Sequence, residues 1–170
     1  MHPYIHAKKN PNKPALIMAS SGEITTYKEL DERSNQIAHL FRQKGLKIGD
    51  GISIFMENNS RFLEICWAAQ RSGLYFTPIS SKLTAAEVKY IHDDCNSQFL
   101  ISSKYLKNVA NETFQLTKKT KHHYMVDGVE EGWQSFENAI MDLPKTPIPD
   151  EEMGQDMLYS SGTTGKHKGI

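Results

Sequence analysis

The chain has 170 residues, 38% of them apolar and 24% charged, with twenty basic side chains balanced by twenty acidic ones. That length holds one domain of ordinary size, and the composition is globular rather than disordered or fibrous. A zero net charge favours neither nucleic acid nor an anionic membrane surface as a partner. The N-terminus, MHPYIHAKKNPNKPALIM, carries no apolar core of signal-peptide length, and no later stretch approaches the ~20 apolar residues of a membrane span. Cys66 and Cys95 lack CxxC spacing and read as thiols of a reduced compartment, so a cytoplasmic protein is expected.

Short apolar runs alternate with helical periodicity along the chain. That is the pattern of a layered α/β fold, in which a mostly parallel sheet is flanked by helices. Ala15-Leu16-Ile17-Met18 reads as a first strand, followed by the turn Ser20-Ser21-Gly22. A helix is expected from Thr26, with Tyr27, Leu30, Ile37, Ala38 and Phe41 on one face and Gly45 at its C-terminal cap. Gly51 to Met56 forms the next strand. Asn59 or Ser60 caps a helix that runs to Gly73, and Leu74 to Ile79 follows as a strand with Pro78 near its end. A further helix begins at Thr84 and ends near Cys95, before a strand at Gln98 to Ile101. The pattern weakens from Ser103 to Lys121. His123 to Val126 reads as a strand and Ser135 to Leu143 as a short helix. Pro144, Pro147 and Pro149 then make a stiff, exposed connector to a last strand, Asp156 to Tyr159.

Two of the helix starts, Thr26-Tyr27-Lys28-Glu29 and Thr84-Ala85-Ala86-Glu87, have the Thr-x-x-Glu form of a capping box and are assigned to folding. His122-His123 reads as a solvated pair, since adjacent side chains of a strand face opposite ways and no further ligands accompany them. Lys118, Lys119 and Lys121 read as surface charge, and Trp67 and Trp133 as packing residues.

The last strand leads into Tyr159-Ser160-Ser161-Gly162-Thr163-Thr164-Gly165-Lys166-His167-Lys168-Gly169, which places four aliphatic hydroxyls, three glycines and two lysines in eleven residues. Such residues suit a polyphosphate. Glycines bring backbone N–H groups against phosphate oxygens, hydroxyls add donors, and an ammonium offsets the charge that moves during reaction. Composition alone fits a flexible polar loop better. A Walker-type loop fails on spacing, because His167 stands five places after Gly162 and Gly165 is followed by Lys-His-Lys.

Resemblance separates these readings. The loop resembles the signature of the adenylate-forming superfamily, which includes acyl-CoA synthetases, luciferases and the adenylation domains of peptide synthetases. Ile24-Thr25-Thr26-Tyr27-Lys28-Glu29-Leu30 is similar to an earlier family segment, and Ala69 to Ile79 to a second, in the same order. The resemblance implies that residues 1–170 are the N-terminal portion of the large AMP-binding (acyl-CoA synthetase) domain, truncated at the phosphate loop. It implies that Ser160, Ser161, Gly162, Thr163, Thr164, Gly165 and Lys168 surround the β- and γ-phosphates of ATP. Thr163 would approach Mg²⁺, and the Lys168 charge would act as pyrophosphate leaves. One departure is His167, where the family usually has Pro before the motif lysine.

The implied reaction joins a small carboxylic acid, such as a fatty acid, to ATP as an acyl-adenylate and then to CoA. Leu83-Thr84-Ala85-Ala86-Glu87 is more like acyl-CoA synthetases than peptide-synthetase domains, which tend to carry Tyr-Pro there. An adenylation enzyme that serves a carrier protein or amine stays open, as does a binding module without catalysis. The adenine, acyl and CoA sites are expected beyond Ile170, so the chain alone is expected to be inactive. Only Lys168, Gly169 and Ile170 follow the loop, too few, on this reading, to pair securely.

Overall fold

The computed structural model describes residues 2–160 in full, together with the backbone of residues 168 and 169. It opens with a helix that the sequence reading does not contain, α1 (Pro3–Lys9), capped by the ring of His2, whose Nδ1 accepts from the Tyr4 amide at 3.3 Å. Strands β1 (Pro14–Ile17) and β2 (Ile24–Thr26) then pair antiparallel as a separate hairpin. The first expected strand is therefore present but stands outside the main sheet. Its apolar run is paired locally through the Ser20-Ser21-Gly22 turn.

Helix α2 (Tyr27–Gln43) begins where expected. Thr26 Oγ1 accepts from the Glu29 amide at 3.3 Å, and the Thr26 amide donates to Glu29 Oε2 at 2.8 Å. Gly45, at φ +86°, takes the left-handed position past the helix end. Strand β3 (Gly51–Phe55) leads to α3 (Ser60–Arg71), which the Asn59 side chain caps at 2.9 Å from the Arg61 amide. Then follow β4 (Tyr75–Ile79), α4 (Ala85–Asp94) and β5 (Ser97–Ser103). At the start of α4 the Thr84 amide donates to Glu87 Oε2 at 2.8 Å, the second expected capping box.

The weakly patterned stretch contains a single 3-10 turn at Lys104–Leu106 and a full helix, α5 (Lys107–Leu116). The remaining elements are β6 (His122–Val126), the two-residue β7 (Gln134–Ser135), α6 (Phe136–Ile140) and β8 (Gln155–Asp156). The last strand of the sequence reading is thus broken. Its second half is β9 (Tyr159–Ser160), which pairs antiparallel with β10 (Lys168–Gly169) as its own two-stranded sheet. Lys168 and Gly169 thus do find a partner, because a hairpin closes locally and needs no distant strand.

Six strands form one sheet in the order β7-β6-β5-β3-β4-β8, every neighbour parallel, which confirms the α/β architecture. Parallel neighbours require crossovers, and the helices supply them on both faces. On one face Ile52, Ile54, Phe99, Ile101 and Tyr124 meet α2, α3 and α6 through Ile37, Phe41, Ile65 and Phe136. On the other, Phe55, Leu100 and Met125 meet α4 and α5 through Val88, Ile91 and Ala110. Alternate residues of the inner strands thus enter two separate cores. Full burial of a side chain such as Phe41, Phe55 or Phe99 contributes ~1.5–3 kcal/mol.

The proline-rich connector is exposed for much of its length, but α2 holds it down. Asn35 donates to Lys145 O at 2.8 Å, Gln36 to Leu143 O, just before Pro144, at 3.2 Å, and Ile148 is buried. Docking of this strap delivers β8 to the sheet edge.

Candidate active site

The site is built from the sheet edge outward. Gln155 and Asp156 lie in register with Tyr75 and Phe76 of β4, and the Met157 amide donates to Phe76 O at 2.9 Å. Close approach needs a glycine just before this point. The Gly154 amide donates to Gln70 O at 2.7 Å, and a Cβ there would sit 2.4 Å from Leu74 O and 2.6 Å from Ala69 O.

Past Met157 the chain leaves the sheet. The half-buried Tyr159 ring packs against the core that contains Ile79, Val88 and Ile91, and its hydroxyl donates to Asp94 Oδ2 at 2.6 Å. Burial, and then the hydrogen bond to Asp94, raise the phenol above the usual tyrosine range, so it stays protonated as a donor. Ser160 is exposed, and the hairpin register places Lys168 across from it and Gly169 across from Tyr159. The structure thus brings Ser160 and the backbone of Lys168 to the two arms of one hairpin. Ser161, Gly162, Thr163, Thr164 and Gly165 lie outside the described residues.

Beside the hairpin, Phe62, Cys66, Trp67, Phe76, Asp156 and Leu158 line an apolar cavity of about 300 Å³. Burial, and then the charge of Asp156, push the Cys66 thiol up to about 12, so it stays protonated and serves as no nucleophile. Both cysteines are free and buried.

His122 and His123 do face opposite ways, but they are not a solvated pair. His123 is buried, its ring centre 4.7 Å from Phe114 and 5.5 Å from Trp133, and its Nε2 shares a hydrogen bond of 2.9 Å with Thr117 Oγ1. His122 is half-buried, 4.6 Å from the Phe99 ring. The reason is positional: β6 is an inner strand covered on both faces, so its alternate residues are buried whatever their polarity. Trp133 is a packing residue, as expected. No group of three His, Cys, Asp or Glu side chains among the described residues could hold a metal ion. No described helix is long and apolar enough to cross a membrane.

Sequence reasoning passed over Asp94, because a carboxylate at a helix end reads as ordinary surface charge. Only its spatial meeting with Tyr159 distinguishes it.

A family model described as AMP-binding enzyme matches residues 4–170. The chain belongs to this family of adenylate-forming enzymes. Among curated proteins it is 29% identical to fatty acid–acyl-carrier-protein ligase ScoC of Streptomyces coeruleorubidus, over 97% of this chain and 31% of that protein. It is 30% identical to 4-hydroxybutyrate–CoA ligase 1 of Metallosphaera sedula, over 98% of this chain and 30% of that protein. The chain thus spans less than a third of the length of these relatives. Among solved structures it matches the crystal structure of the anthranilate CoA ligase AuaEII in complex with anthranoyl-AMP. The TM-score there is 0.86 at 23% identity, over 99% of this chain and 33% of that one, a match of fold.

Proposed function

We propose that the protein carrying this chain is an AMP-forming acyl-CoA synthetase, in which residues 1–170 are the N-terminal portion of the large domain. A carboxylate oxygen of a fatty or other small acid attacks the α-phosphorus of ATP. The bond to the bridging oxygen breaks, and pyrophosphate leaves with its electron pair. The thiolate of CoA then attacks the acyl carbonyl and displaces AMP.

The observation that carries this reading is the family match across residues 4–170, which extends through the hydroxyl- and glycine-rich loop at the β9–β10 hairpin. Ser160, Ser161, Thr163 and Thr164 donate to the phosphate oxygens, and Gly162 and Gly165 let the backbone approach them. The Lys168 ammonium offsets charge as pyrophosphate departs. A threonine hydroxyl is the hard oxygen donor that Mg²⁺ takes, so Thr163 fits the ion that accompanies ATP. Such a displacement needs positioning and charge stabilisation more than covalent help, consistent with the inert Cys66.

A second reading is favoured by a specific observation: one relative is a fatty acid–acyl-carrier-protein ligase, and another is tyrocidine synthase 3 of Brevibacillus parabrevis, 30% identical over 96% of this chain and 2% of that protein. In that reading the acyl group passes to a carrier protein or an amine. Acid-dependent ATP–pyrophosphate exchange by the full-length protein tests the adenylation half. Its absence over a panel of acids would leave a binding module without catalysis. Thioester formation on CoA, against acylation of a carrier protein, then decides the acceptor. The 170 residues alone are expected to yield no thioester, because donors act on developing charge only when held in a completed site.

A further inference from the structure

We propose that Asp94 is a positioning residue for the phosphate-binding loop and acts through the Tyr159 hydroxyl; the inference rests on the function proposed above. The hairpin that brackets the loop is not part of the six-stranded sheet. Among the described residues, the backbone ties between this segment and the body stop at Met157, which donates to Phe76 O. Beyond it, the Tyr159 side chain holds the hairpin, through its ring against the second core and its hydroxyl on Asp94.

Asp94 is well placed for that task. It is the last residue of α4, a helix capped by Thr84 and Glu87 and buried along Val88 and Ile91. Two residues earlier, the buried His92 shares hydrogen bonds with Ser53 Oγ of the central strand β3 at 3.1 Å and with Thr120 Oγ1 at 2.6 Å. The neighbouring Asp93 pairs instead with Lys89. A rigid path therefore runs from the middle of the sheet through α4 to Asp94, across one charge-assisted hydrogen bond to Tyr159, and on to Ser160. Groups that stabilise developing charge must be held within a fraction of an ångström, and Asp94 fixes the base of the arm that presents them.

The test uses the full-length protein and ATP–pyrophosphate exchange. Asp94→Ala and Tyr159→Phe are each expected to lower the exchange kcat about tenfold while the acid's KM and the thermal midpoint stay near those of the parent. Asp94→Asn, which can still accept from the hydroxyl, is expected to recover most of the rate. The double variant should be no slower than either single one, and Asp93→Asn should match the parent. Parent-like exchange in Asp94→Ala, no recovery in Asp94→Asn, or losses that multiply in the double variant would each overturn the proposal. If the parent itself shows no exchange, the proposed function fails. Amide hydrogen exchange across residues 159–169 then decides the anchoring separately. Faster exchange in Asp94→Ala and Tyr159→Phe than in the parent and Asp94→Asn supports it, and equal exchange refutes it.

Discussion

Arg33 on α2 reaches 2.9 Å to the carboxylate of Glu64 on α3, a side chain with no exposed surface. Arg61, on the first turn of α3, closes on the other oxygen at 3.0 Å. A buried carboxylate is tolerated only when paired and hydrogen-bonded, so this clamp permits α2 and α3 to pack with a charge between them.

The clamp predicts a graded loss. Arg33→Ala leaves Glu64 with Arg61 and should cost about 1.5–3 kcal/mol, the range for one hydrogen bond to a charged group. Removing both arginines strands the carboxylate and should cost about 3–5 kcal/mol. Urea unfolding of the three proteins checks both figures. Equal midpoints would show that solvent reaches Glu64 and the clamp is dispensable.

Acid should weaken the fold through two histidines. Burial holds both His92 and His123 down to about 4, against an ordinary value of 6.5. Between those values the unfolded chain binds more protons than the folded one, so the stability they contribute is fully present above about pH 6.5 and falls as pH drops towards 4. The loss should be on the order of a few kcal/mol for the two together. His123→Phe, with a ring that fits beside Phe114 and Trp133, should flatten part of that slope. Urea titrations at several pH values measure it. A slope unchanged in this variant would acquit His123.

Gly154 should refuse any side chain. The added Cβ of Gly154→Ala would meet two backbone oxygens, neither of which can turn away. The substitution should therefore displace β8 from β4, destabilise the protein by about 1–3 kcal/mol and slow adenylation. Thermal melts and pyrophosphate exchange read the two effects. A stable, active Gly154→Ala would place the edge strand elsewhere in solution.

If Lys168 acts as proposed, Lys168→Ala should slow pyrophosphate exchange about a hundredfold while changing the acid's KM much less, since on that proposal the ammonium is needed most as charge moves onto the leaving group. Unchanged exchange would mean that His167, where the family usually has Pro, has displaced the lysine from its role.

Much of the scaffold was legible because local chemistry and tertiary demand agree. Thr26 and Thr84 announce α2 and α4 through their paired glutamates, and the apolar runs at Gly51, Leu74 and Gln98 are long enough to be inner strands. Where the two part, legibility fails. Helix α5 begins after Leu106, with no side chain capping it, so no start signal announces it. Helix α1 is capped by His2 rather than by a usual capping residue. The polarity of His123 hides its burial, which its place in the sheet imposes. At the candidate site, resemblance rather than composition marked Ser160 and Lys168. Asp94 was invisible, because a bond across 65 positions leaves no trace in local pattern.

The pairing of β8 with β4 sets an order of assembly. Phe76 and Asp156 meet only after α4, β5, α5 and β6 have been laid down between them, and such distant closures come late in folding. Pulse-labelled exchange should find the Gln155 amide protected after those of β3 and β5. On that order the arm leading to the hydroxyl- and glycine-rich loop is seated by a late parallel pairing, and, on the proposed function, nucleotide binding would select chains that have completed it.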